Sequence, residues 1–277
     1  MFQHPKTPRL KQEGTALLRK FRLLEAADEI RFWLTTAKNW PDNRRFTSLH
    51  PGAIFPPARI AYDAYSNLKY EGYFAGGLLS AEALVSLIKD EVKAGVRILE
   101  WGCGPGRIVR QLEVLLRGSG ASLFGCDYNS NTIQWCSSAI PGVTFALNGL
   151  QPPLPFAAEF FDVLYSSSVF THLSEEMHYA WLEENARVLK HGGLLIFTTG
   201  GDRMAYKLLP RELRQYEAGN LVVRNGGREG KRNYSAFHSP AFVEKKLLPS
   251  CASLRLVKHE TQLPFAGIQD VWVVRKS

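Results

Sequence analysis

The chain has 277 residues, 45% hydrophobic and 22% charged, with a formal net charge of +8. That balance excludes a disordered, collagenous or disulfide-stapled chain, and the length fits one large α/β domain with an appendage. No apolar run reaches the ~20 residues of a membrane-spanning helix, and the start, MFQHPKTPRLKQEGTALLRKF, lacks the uninterrupted apolar core of a secretory signal, so a cytoplasmic setting is expected.

The positive charge admits nucleic acid, an anionic substrate or a membrane surface. The basic residues are scattered, at Arg19, Lys20 and Arg22, at Arg44 and Arg45, at Arg228, Lys231 and Arg232, and at Lys245 and Lys246. None forms a long block interleaved with aromatics. The charge therefore reads as solvated surface, and neither nucleic acid nor membrane is expected as a partner. Cys103, Cys126, Cys136 and Cys251 form no C-x-x-C pair, so reduced thiols and no metal are expected.

In chain order, Leu17, Phe21, Leu24, Ala27, Ile30 and Leu34 recur at helical spacing. Residues 39–60 are rich in proline and turn formers and read as an irregular connector. A second helix is predicted from Leu78 to Lys93, bounded by Gly76-Gly77 and Gly95. Residues 1–60 would form a helical cap, ahead of a main domain at 61–277. The stretch 61–77, AYDAYSNLKYEGYFAGG, would be the cap's mobile edge, with Tyr62, Tyr65, Tyr70, Tyr73 and Phe74 closing over a small acceptor.

From Val96 strands and helices alternate. Strands are predicted at 96–101, 121–127, 143–147, 160–167 and 193–200, with helices to about Arg117, at 131–140 and from Ser174 to Leu189. The last of these has acids in its first turn and a glycine stop after it. The pattern implies parallel β-α-β units with right-handed crossovers. Residues 201–238 form a polar, basic, lid-like insert. A helix from Pro240 to Leu248 follows, then two strands, SLRLVKHE and QDVWVVRK, expected as an antiparallel pair.

The loop RILEWGCGPGR at 97–107 focuses the functional question. Gly102, Gly104 and Gly106 follow a strand, but the dinucleotide fingerprint G-x-G-x-x-G is broken, because Arg107 stands in its last place. Glu100 would repel a pyrophosphate and favour a ligand bearing an ammonium group.

Together, ILEWGCGPGR, the acid ending GCDYN, the strand FDVLYSSSVFTHL and the segment ARVLKHGGLLIFTT resemble the class I S-adenosylmethionine-dependent methyltransferases, over about residues 61–277. His191 stands where that family usually has proline. The resemblance implies a Rossmann-like, seven-stranded, mostly parallel sheet with an antiparallel last strand and helices on both faces. It implies S-adenosylmethionine as cofactor and S-adenosylhomocysteine as product. Glu100, Gly102, Cys103, Gly104 and Gly106 would surround the methionine end. Asp127 would take the ribose hydroxyls, Tyr128 and Asn148 the adenine, and Ser166 and Ser167 the floor beneath the methionine. His172 is the first candidate general base, with His238 and Tyr234 reaching in from the insert; Gln269 and Asp270 are candidates for substrate contact. No N-P-P-Y stretch and no P-C-Q cysteine follow the fourth strand, so the resemblance is to the small-molecule branch, with transfer to an O or N atom. An RNA-modifying enzyme and a non-catalytic S-adenosylmethionine-binding module are the alternatives, and a nicotinamide oxidoreductase is a more distant one.

Overall fold

The computed structural model describes residues 24–65, 68–224 and 227–277. Three helices come first: α1 (Leu24–Leu49), α2 (Ala58–Tyr65) and α3 (Tyr70–Ile88). The predicted connector is thus helical as far as Leu49 and again from Ala58. Helix α1 passes through Pro41, which lacks the N–H of the helical ladder. Tertiary bonds hold it there. Asn43 donates Nδ2 to the Leu68 carbonyl at 2.6 Å and accepts from the Tyr70 N–H at 3.0 Å. The expected apolar face of α1 does not face the core. Phe32 and Asn39 are buried, while Ile30 and Leu34 are exposed; Leu17 and Phe21 lie outside the described residues.

Helix α3 starts eight residues before Leu78 and runs through Gly76-Gly77. The pair is no boundary, and Gly77 is a place of close approach. A Cβ on Gly77 would stand 2.5 Å from the Arg107 carbonyl oxygen. The aromatics expected to form a mobile lid are mostly packing residues. Tyr62 and Tyr73 are buried, the Tyr73 hydroxyl donates to the Pro105 carbonyl at 2.6 Å, and Tyr70 stacks on Phe55 with centroids 3.9 Å apart.

Strand β1 (Arg97–Trp101) leads through the glycine loop to α4 (Val109–Leu115), then β2 (Ser122–Asp127), α5 (Ser130–Ala139), β3 (Val143–Leu147), β4 (Phe161–Ser166), α6 (Glu175–Val188) and β5 (Leu189–Thr199). Strand β5 begins before Gly192-Gly193. Leu189 already pairs with Phe161, and a register shift beside Phe161 absorbs the glycines, so they make an irregularity inside the strand. The insert is more ordered than its polarity suggests. It holds α7 (Pro210–Glu217) and an antiparallel pair, β6 (Leu221–Arg224) and β7 (Ser235–His238), around Leu208, Tyr216, Val222 and Phe237. A helical stretch over 240–250 widens into a π turn at Val243–Leu247. Strands β8 (Leu254–Glu260) and β9 (Asp270–Lys276) close the chain.

The large sheet has the order β3-β2-β1-β4-β5-β9-β8, with β9 antiparallel to both its neighbours. It is buried on both faces, as parallel sheets are. Along β4, Phe161 and Leu164 pack on one face with Trp181 and Phe242, while Val163 and Tyr165 pack on the other with Ile88 and Leu112. The strand order reverses between β1 and β4, and at such a switch point the carboxyl ends of the strands leave a crevice for ligands.

The two neighbouring glycines of α3 make a paired test. At Gly77 the helix-propensity gain of alanine, about 1 kcal/mol, is opposed by an overpacking cost of about 1–3 kcal/mol. Gly77→Ala is expected to lower the urea midpoint. At Gly76 the nearest atom to a Cβ is the end of the Arg107 side chain at 3.5 Å, so Gly76→Ala is expected to raise it.

Candidate active site

The glycine loop sits at the switch point, and its backbone donors are already engaged. The Gly102 and Cys103 N–H groups both donate to the Cys126 carbonyl, at 2.8 and 2.9 Å. Gly104 donates to Asp127 Oδ2 at 3.0 Å and Gly106 to the Cys103 carbonyl at 3.0 Å. Pro105 has no N–H. No nest of free donors remains between Gly102 and Gly106 for a phosphate. Gly102 is required sterically: its φ is +71°, and a Cβ would stand 2.3 Å from Val169. Gly106 lies off the cavity, packed against Ile140 and Val109, so its part is in the turn.

Glu100 is buried under this loop. Its Oε2 accepts from the Val109 N–H and the Tyr165 hydroxyl, both at 3.0 Å. Burial pushes its carboxyl up to about 8, and the two hydrogen bonds and Arg107 only partly oppose that. Asp127 ends β2 with both oxygens engaged: Oδ1 accepts from the Asn129 N–H at 2.9 Å while Oδ2 holds Gly104. Burial raises its pKa too. Asp127 Oδ1 and Oδ2 each keep a lone pair for a ligand donor, and Glu100 keeps Oε1.

Both acids line a cavity of about 510 Å³, of small-molecule size. Cys103, Tyr128, Asn148 and Ser167 also line it. Asn148 donates Nδ2 to the Gly149 carbonyl at 2.6 Å, and its Oδ1 is buried without a hydrogen bond. Such an acceptor is costly unless a ligand supplies a donor. Ser166 is fully buried and absent from the lining; it is the neighbouring Ser167 that reaches the cavity.

The loop after β4 carries His172 to the cavity wall. Its Nδ1 lies 2.7 Å from the Tyr234 carbonyl, which can only accept, so Nδ1 carries the proton. Nε2 is left as a free base. Burial lowers the pKa of this imidazole below its ordinary 6.5 and keeps it neutral near pH 7. The loop is pinned from below. Ser168, at φ 66°, donates its N–H to Thr198 Oγ1 at 2.7 Å, Thr198 donates to Gln269 Oε1 at 2.6 Å, and Gln269 Nε2 returns to Ser168 Oγ at 2.7 Å. Gln269 therefore shapes the loop, and Asp270 is buried against His259 at 3.1 Å, away from the cavity.

Helices α1 and α2 and residues 227–233 form the opposite wall. Arg232 makes a two-pronged ion pair with Asp28 of α1 and lies over the Tyr62 ring, 4.5 Å from its centroid. The Tyr128 hydroxyl donates to the Gly230 carbonyl at 3.0 Å, and the Gly230 N–H to the His172 carbonyl at 2.9 Å. Arg107 lines the cavity and carried no role in the sequence reading, while Tyr65, expected only as one of the lid aromatics, lines it from α2. Arg107 has no carboxylate partner among the described residues and sits over the Tyr65 ring at 5.6 Å. The Tyr65 hydroxyl is buried without a partner, and it lies 3.9 Å from where a Cβ on Gly104 would be. The signal for Arg107 was its place directly after the glycines; that for Tyr65 was the run of aromatics over 62–74, and the packing of α2 decided which of them reaches the cavity.

A family profile described as "methyltransferase domain" matches residues 99–197, from β1 to β5. These residues carry a methyltransferase domain, in the fold of the class I S-adenosylmethionine-dependent methyltransferases. A malonyl-(acyl-carrier protein) O-methyltransferase of Bacillus cereus is 26% identical over 190 residues, 65% of this chain and 63% of the relative. Its counterpart in Bacillus cytotoxicus is 27% identical over 56% of this chain and 50% of its own length. The chain thus spans less than two thirds of the curated relatives it matches. The magnesium protoporphyrin IX methyltransferase of Synechocystis PCC 6803, solved with bound S-adenosylhomocysteine, shares the fold at TM-score 0.53 and 16% identity, over 79% of this chain and 92% of that one. A methyltransferase of Aquifex aeolicus matches at TM-score 0.51 and 14% identity, over 81% and 100%.

Within this methyltransferase domain two expected catalytic residues lie elsewhere. Tyr234 is buried and does not line the cavity; its contribution is the carbonyl that holds His172. His238 is fully buried. Its Nδ1 accepts from the Gly200 N–H at 3.3 Å, so Nε2–H donates to His178 Nε2 at 2.6 Å, and His178 Nδ1–H donates to the Ser174 carbonyl at 2.6 Å. Among Phe170 and Phe242 the pair is neutral. Burial pushes His178 down to about 4 and His238 well below its ordinary value.

This pair predicts acid lability with a definite sign. An unfolded histidine takes up its proton near 6.5 and the folded pair does not, so the stability is complete above that pH and is lost as pH falls toward 4. His178 alone accounts for about 3 kcal/mol of the loss. Between pH 7.5 and 5 the natural chain should lose more of its urea midpoint than His178→Asn, which will be less stable at pH 7.5; Glu100, whose raised pKa favours the fold as pH falls, acts equally in both. Equal slopes would remove the pair from the acid response.

Proposed function

We propose that the protein transfers a methyl group from S-adenosylmethionine to an O or N atom of a small molecule. One observation carries this reading. Two buried carboxylates, Glu100 and Asp127, flank a glycine loop with no free N–H between Gly102 and Gly106, a site made for a cationic nucleoside and wrong for a pyrophosphate. The orphaned Asn148 Oδ1 suits the exocyclic amine of adenine, and Asp127 the two ribose hydroxyls. Tyr128 borders the adenine end. Glu100 faces the α-ammonium, with the loop carbonyls beside it. Arg107 and the unpartnered Tyr65 hydroxyl take the α-carboxylate.

S-adenosylmethionine supplies a methyl group already activated on a sulfonium. The remaining work is alignment, exclusion of water and removal of the acceptor's proton. Alignment contributes about 7–11 kcal/mol when the reacting atoms are held in line. His172 removes the proton at Nε2, for which Nδ1 is fixed on the Tyr234 carbonyl, and such a base contributes about 10²–10⁴-fold. The wall of α1, α2 and residues 227–233 serves as the cap that shuts water out. The Bacillus relatives are by name O-methyltransferases, which supports an oxygen acceptor.

Calorimetric titration with S-adenosylhomocysteine, with NADH as control, tests the ligand. Binding of NADH alone would defeat the proposal. The ionisation of Glu100 gives the titration a second readout. Its carboxyl is protonated up to about pH 8 in the free protein. The ligand's ammonium favours the carboxylate, so binding at pH 7 should release a proton, seen as a dependence of the heat on buffer ionisation enthalpy. Affinity should rise from pH 6 to 8 by up to about tenfold per unit, and Glu100→Gln should abolish the linkage. With an accepted substrate in hand, His172→Gln is expected to cut turnover by about 10²-fold or more with S-adenosylhomocysteine affinity unchanged.

A further inference from the structure

Helix α1 is 26 residues long, yet Phe32 and Asn39 are the residues it buries. A helix draws most of its stability from packing an apolar face, and the apolar face of α1 points outward. Ile30, Trp33, Leu34 and Trp40 are 62%, 63%, 67% and 60% exposed, and the spacing 30-33-34-37-40-41 places them on one stripe with Ala37 and Pro41. Large apolar side chains gathered in this way mark an interaction surface.

The charges beside the stripe identify the partner. Arg31, Lys38 and Arg45 recur every seven residues, two helical turns apart, and form one row along the stripe's edge. Arg44 lies over the Trp40 ring, 5.4 Å from its centroid. None of these four cations has an ion pair among the described residues. The acids of the first turns are turned away: Asp28 holds Arg232, Glu29 holds Arg59 at 2.6 Å, and Glu25 lines the cavity. From Ile30 to Leu49 the remaining acid is Asp42. Exposed aliphatics, two tryptophans and a row of unpaired cations on one helix are the make-up of an element that lies in a bilayer interface.

We propose that α1 docks this protein on a lipid bilayer carrying anionic headgroups. The tryptophans and aliphatics enter the boundary between headgroups and acyl chains, and Arg31, Lys38, Arg44 and Arg45 meet the anionic lipid. The helix lies on the surface; among the described residues no helix is long and apolar enough to cross a membrane. The proposal is independent of the methyl-transfer reading, since it rests on the outward face of α1.

The natural tryptophans report on it. Trp33 and Trp40 are exposed, Trp101, Trp181 and Trp272 are buried, and Trp135 is half-buried. Full-length protein would be titrated with phosphatidylcholine vesicles, with and without phosphatidylglycerol, reading tryptophan emission and co-sedimentation. The expected result is a blue shift and sedimentation with the phosphatidylglycerol vesicles, with affinity at least about tenfold weaker on phosphatidylcholine alone and reduced by salt. Trp33→Ser with Trp40→Ser, and separately Arg31→Glu with Lys38→Glu and Arg45→Glu, should each abolish binding with unchanged circular dichroism and S-adenosylhomocysteine titration. Absence of binding to either vesicle, or equal binding to both, overturns the proposal. So does emission already blue-shifted without vesicles, the mark of cover by a second copy or another part of the chain.

Discussion

Two N–H groups converge on the Cys126 carbonyl, and the site depends on them. By drawing Gly102 and Cys103 onto the end of β2, they fold the loop back across the sheet edge. Asp127, the next residue, then receives the Gly104 N–H. The loop's donors are consumed internally, so Gly102, Cys103 and Gly104 line the cavity without a free N–H. The loop itself therefore offers no cradle of free N–H groups to a phosphate. The same bonds fix where α4 starts, and there the Val109 N–H meets Glu100.

The buried acids follow from that geometry. A carboxylate inside a protein must be hydrogen-bonded or remain protonated. Glu100 does some of each: two donors hold Oε2, and burial still keeps its pKa near 8. Asp127 has two backbone donors and lies closer to the rim. The two acids thereby sit in different surroundings, one deep under the loop and one at the end of β2.

The second half of the site is held by the insert. His172 is clamped at its carbonyl by Gly230 and at Nδ1 by Tyr234, and Arg232 in the same segment reaches across to Asp28 of α1. The proton-accepting atom, the cap and the N-terminal helix therefore form one connected structure. The ring of bonds through Thr198, Gln269 and Ser168 supports the loop from the sheet side and offsets the left-handed strain at Ser168, which would otherwise cost about 1–3 kcal/mol.

Much of this was legible in the chain. The alternation from Val96 onward gave the strands, most clearly the central β1, β4 and β5, which are buried on both faces and carry apolar runs. Glu100, the three glycines and Asp127 are local features of one strand end each, and their order carried the family. Tertiary structure decided the rest because long-range contacts override local propensity. Gly76-Gly77 looked like a helix boundary and lies inside α3, where Gly77 closely approaches Arg107. Pro41 looked like a breaker and sits in a helix tied down by Asn43. The sequence put His172 first, after the fourth strand, and kept His238 in the polar insert as a second candidate. The fold left one with a bare nitrogen at the cavity and gave the other a buried partner 2.6 Å away, because β7 threads beneath α6.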